Sequence, residues 1–124
     1  MPNPRKLVRF DEIHVQRATF LAGAGLTYDA TKPNGTDLVG APVKISADDT
    51  VTLCANGDKP FGFLDRIEAD GVVSVAWHGF IEARGTAAVG GDVLANTGNV
   101  VKAGAGAGVG TVVKVLASSV IVKL

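Results

Sequence analysis

The sequence predicts an all-β protein, a small, mostly antiparallel β-barrel or β-sandwich with an extended N-terminal arm, and three observations point to it. Residues 72–83 repeat with period two: Val73, Val75, Trp77, Ile81 and Ala83 take alternate positions, with Ser74, His78, Glu82 and Arg84 on the other face. Beyond residue 40, short apolar runs are separated by turn signals at hairpin spacing. Sixteen glycines, with only one Met, one Trp and one Tyr, suit short strands and tight turns better than a helical bundle.

The first element is residues 1–17, read as the arm. Pro2 and Pro4 keep its start extended, and Arg5, Lys6, Arg9 and Arg17 outnumber Asp11 and Glu12, for a net charge of +2 in a chain that is neutral overall. Leu7 to Phe20 has no sustained apolar stripe, although a short helix there stays open as an alternative. Residues 18–124 form the single β-domain. Within it, Thr19-Phe20-Leu21 and Leu26-Thr27-Tyr28 are short apolar pieces, and Asn34-Gly35 reverses the chain.

Further apolar runs follow at residues 43–45, 50–54, 61–68, 72–83, 93–95, 100–102, 111–116 and 120–124. The turns between them are Ala47-Asp48-Asp49, Asn56-Gly57-Asp58, Ala69-Asp70-Gly71, Gly90-Gly91-Asp92, Asn96-Thr97-Gly98-Asn99 and Ser118-Ser119. A straight strand over 72–83 would span about 40 Å, wider than a domain of this size, so it must bend, most naturally at Gly79. Phe80 then falls on the polar face beside His78 and Glu82, where it marks a contact surface or is covered by a barrel corner or by the arm. Val120, Val122 and Leu124 alternate with Ser119, Ile121 and Lys123, which ties the last strand into the sheet. The expected core comprises Val43, Ile45, Phe61, Phe63, Val73, Val75, Trp77, Val113, Val120 and Val122.

Composition bounds the function. At 47% hydrophobic and 19% charged, the chain is too apolar to stay disordered. With 12 basic and 12 acidic residues, no global charge draws it to nucleic acid or to an anionic membrane. The N-terminal residues lack the apolar core of a signal peptide, and no stretch has the length of a membrane helix, so the expected site of synthesis is a cytoplasm.

Catalytic patterns do not emerge. The lone cysteine, Cys54, sits in an apolar run and reads as a small buried hydrophobe. The alternating glycines of Gly104 to Gly110 lack the spacing and the strand-to-helix context of a dinucleotide loop and read as a flexible or bulged connection. His14 and His78 have no metal-ligand spacing, and Asp48, Asp49 and Asp58 read as solvated turn acids. Lys114 is similar in setting to the modified lysine of biotinyl and lipoyl carriers, but it falls inside a strand and not at a hairpin tip. The expectation is a protein without enzymatic activity, cofactor or metal.

Several pieces in order carry a family resemblance. They are Gly40-Ala41-Pro42-Val43-Lys44-Ile45-Ser46, the strand Thr50 to Leu53, Asp58-Lys59-Pro60-Phe61-Gly62-Phe63-Leu64 and Asp70-Gly71-Val72-Val73-Ser74-Val75. Gly79-Phe80-Ile81-Glu82, Val89-Gly90-Gly91-Asp92-Val93-Leu94 and Gly110-Thr111-Val112-Val113 complete the series. Residues 40–124 resemble the capsid decoration, or head cement, proteins of tailed bacteriophages. The resemblance implies a virion protein made in the host cytoplasm that binds the major capsid protein on the shell exterior, commonly as a homotrimer, and reinforces the shell. Arg5, Lys6 and Arg9 are then the candidate capsid contacts and Phe80 the candidate oligomer contact. A tail or baseplate module and a small carrier or binding domain are the alternatives.

Overall fold

The computed structural model describes residues 15–124, so Arg5, Lys6, Arg9 and His14 lie outside the described residues. It is all-β, with no helix among them. The ten strands are β1 (Gln16–Ala22), β2 (Pro42–Ala47), β3 (Thr50–Leu53), β4 (Gly62–Ile67), β5 (Val72–His78), β6 (Phe80–Arg84), β7 (Val93–Asn96), β8 (Val100–Ala103), β9 (Thr111–Val115) and β10 (Ser119–Lys123). Of the segment assigned to the arm, Gln16 and Arg17 open β1 and pair with His78 and Ala76.

Strands β1-β3-β2-β4-β5 close into a barrel, while β6-β10-β9 and β7-β8 form two smaller sheets. Within the barrel only β1 and β3 run parallel. The hairpins turn where the sequence predicts. Asp49 takes φ 56° between β2 and β3, and Asn99 takes φ 63° between β7 and β8. Leu116 N–H donates to the Ser119 carbonyl at 2.8 Å to close the tip between β9 and β10. Small polar residues at these corners tolerate the left-handed backbone that tight hairpins need.

The predicted long strand is two strands, broken at Gly79 with φ 105°. Buried odd positions lie on both sides of it but enter different cores. Val73 and Val75 pack inside the barrel with Leu26, Val43, Val51, Leu64 and Ile67. Ile81 and Ala83 join a second core with Phe63, Ala76, Val93, Val101, Val112, Val120 and Val122. Strands β4 and β5 serve both cores, since Phe63 and Leu64, adjacent in β4, are 0% and 1% exposed on opposite faces. Two apolar layers thus share a wall, and each depends on the other's placement.

Four expected core residues lie elsewhere. Ile45, Phe61 and Trp77 are 46%, 39% and 37% exposed. Trp77 keeps the parity of Val75 but lies past the last barrel pair of β4 and β5, Phe63 with Ala76. Ile45 borders the register shift before the β2–β3 turn, and Phe61 precedes β4. Trp77 is next to the end of β5, Phe61 lies just before β4 and Ile45 sits at the irregularity of β2, places where alternation continues and the covering layer stops. Val113 is half-buried because the register shift opposite Ile121 and Val122 makes it the extra residue of a bulge, and Val112 takes the core position at 1% exposure.

Candidate interaction surface

Register brings the displaced hydrophobics together. Phe61 N–H donates to the Val43 carbonyl at 2.9 Å, which sets Phe61 against β2 within two residues of Ile45. Because Ala76 pairs with Phe63, Trp77 comes opposite Gly62, next to Phe61. The Phe61 ring meets Phe20 edge-on, centroids 5.6 Å apart, and Trp77 tilts against the exposed His78 at 5.7 Å. Register thus places the exposed Ile45, Phe61 and Trp77 toward one end of the barrel. Such exposure costs solubility unless something covers it.

A cleft of about 220 Å³ lies between the barrel and β6, with Phe80, Ile81 and Glu82 on one side and Arg17, Leu64 and Asp65 on the other. Arg17 bridges Asp65 at 3.0 Å, and Ser119 Oγ donates to Glu82 at 2.6 Å. Phe80, which its position among polar residues predicts to be exposed, is instead half-buried on the cleft wall. The reason is the break at Gly79, after which β6 leaves the barrel and pairs with β10.

The other polar side chains singled out in the sequence are tied into turns or strands. Asp58 accepts from Lys44 Nζ at 2.6 Å and from Ala55 N–H at 2.8 Å, so it is a staple and not merely a solvated turn acid. Those two hydrogen bonds, the lysine's first, hold its carboxyl below the usual carboxylate range. Cys54 is buried, and burial, reinforced by the charge of Asp58, pushes its thiol up to about 11, so it stays protonated at neutral pH. Lys114 lies within β9 opposite Ile121 and is exposed along a strand, without the hairpin-tip presentation a carrier lysine needs. Among the described residues no group of three or more His, Cys, Asp or Glu side chains is arranged to hold a metal.

The glycine run is a clamped connection. The N–H groups of Gly106 and Gly108 point at the carboxylate of Asp92, so the backbone donors that a phosphate would use are occupied from within. The exposure of Ile45, Phe61 and Trp77 was missed because alternation alone cannot say where a strand outruns its covering layer. The position of Phe61 beside Pro60, at the very start of its apolar run, was the available signal. No protein-family model and no curated protein matches the chain.

Proposed function

We propose that the chain is a non-enzymatic structural protein that binds the outer surface of a bacteriophage capsid and stabilises it. The observation that carries this reading is the exposure of Ile45, Phe61 and Trp77 on a doubly cored body in which Arg17–Asp65, Lys44–Asp58 and Arg66–Glu68 are paired within the chain. A cement protein needs a rigid frame and an adhesive face, and it needs no reactive group. The ordered resemblance of residues 40–124 to decoration proteins supplies the identity of the partner, the major capsid protein.

In this reading the exposed apolar side chains are desolvated against the shell, and the basic residues Arg5, Lys6 and Arg9 add a salt-sensitive contact. Assembly as a homotrimer, with the exposed part of Phe80 at a contact between copies, belongs to the same proposal. The test is co-sedimentation with expanded phage shells, run beside isolated tails. Saturable pelleting with shells supports the reading; pelleting with tails alone transfers the protein to the tail or baseplate. Removing Met1 to Phe10 should weaken shell binding and leave the melting temperature nearly unchanged.

A further inference from the structure

Three glycines wrap around one carboxylate just ahead of β7. Asp92 Oδ1 accepts the Gly106 N–H at 3.0 Å, Oδ2 accepts the Gly108 N–H at 2.5 Å, and the Asp92 carbonyl accepts the Gly104 N–H at 3.0 Å. The alternation of glycine is sterically required here. A Cβ on Gly104 would lie 2.6 Å from Asp92 Oδ2, and one on Gly108 would lie 2.1 Å from the Val93 carbonyl oxygen. Just beyond the clamp, Val93 and Val109 exchange backbone hydrogen bonds of 2.9 and 3.1 Å, and Val109 packs against the second core. The loop is therefore a strap over the open edge of β7.

Among the described residues no cation is paired with this carboxylate. Residues 103–110 and 85–91 contain no titratable side chain, and on β8 Lys102 donates to Asn56 at 2.7 Å. Asp58, which borders β7 through its carbonyl bond to Ala95 N–H, is held by Lys44. Among the described residues the strap is thus fastened by amide dipoles on a single ionised group.

We propose that Asp92 is an acid-labile latch: ionised, it holds residues 104–110 shut over β7, and on protonation it frees the strap and uncovers the Val93–Val109 side of the second core. The two glycine N–H bonds hold the Asp92 carboxyl below its ordinary value of 3.8. A carboxyl depressed on folding stabilises the closed form fully above its unfolded value, and that contribution is lost as pH falls through the lower, folded one. The strap is accordingly shut at neutral and mildly acid pH and opens in stronger acid, ahead of the barrel.

The test is a pH titration of the full chain by amide NMR with hydrogen exchange. The amide protons of Gly106 and Gly108 should titrate together with a midpoint below 3.8, and protection at Gly108 and Val109 should fall about tenfold or more in the same step while Val73 and Val75 in the barrel stay protected. In Asp92→Asn the titration should vanish and protection at Gly108 should be low throughout. Flat Gly106 and Gly108 shifts in the unaltered protein, or loss of protection in loop and barrel at the same pH, would overturn the latch whether or not the variant folds.

Discussion

Trp77 and Phe63 divide the residue-scale chemistry between them. Phe63 is 0% exposed and fills the second core, so Phe63→Ala should cost about 3–5 kcal/mol in chemical denaturation. Trp77 is 37% exposed at a strand end, and Trp77→Ala should cost about 1 kcal/mol or less. Equal losses from the two variants would show that the indole is core after all. Cys54 offers a second check. With its thiol raised from 9.0 to about 11, it should react slowly with alkylating reagents at neutral pH. Because the folded pKa is the higher one, the stability linked to this thiol is complete below about 9 and declines as pH rises toward 11. Fast alkylation of the folded protein at pH 7 would contradict its burial. The burial of Cys54 was legible in the sequence from its apolar neighbours; the partners of Asp58 were not, because Lys44 comes from a different strand.

Individual strands were read from period two and from their turns, and the hairpin corners at Asp49, Gly71 and Asn99 fall where polar and glycine residues mark them. What alternation leaves open is which face meets which layer. Strands β4 and β5 carry buried residues for both cores, Phe63 and Ala76 for one and Leu64, Ile67, Val73 and Val75 for the other, and the bulge at Val113 shifts β9 by one residue without any signal in its Val-Val-Lys-Val run. Gly79 reads as a bend in the sequence, but the change of core that the odd positions make across it depends on backbone angle. Gly62 marks the closest approach between β4 and β5: a Cβ there would lie 2.5 Å from the Ala76 carbonyl oxygen and 2.7 Å from Val75 Cγ1. Gly62→Ala should therefore destabilise by about 1–3 kcal/mol, as overpacking does, measured by urea midpoint. No loss would mean the two strands can separate without cost.

At the scale of the whole molecule, the shared wall of β4 and β5 joins the two cores, so at neutral pH they should unfold together. Far-UV circular dichroism and calorimetry should give coincident midpoints, with van't Hoff and calorimetric enthalpies equal; two resolved transitions would show that the barrel and the second core are independent. Covering of strand edges fits a body meant to stay folded while presenting one adhesive face. The barrel has no open edge, residues 57–58 hydrogen-bond the outer side of β7, and residues 90–91 do the same for the start of β9. Apolar exposure at Ile45, Phe61 and Trp77 is then a feature that a partner would cover. The most direct measurement is the affinity of the Phe61→Ser, Trp77→Ser double variant for expanded phage shells, by quantitative co-sedimentation beside the unaltered protein and with its fold confirmed by circular dichroism. Saturable binding of the unaltered protein, weakened about tenfold or more in the folded double variant, is the expected result. Undiminished binding by the double variant, or no shell binding by the unaltered protein, would contradict the assignment of this face to the capsid.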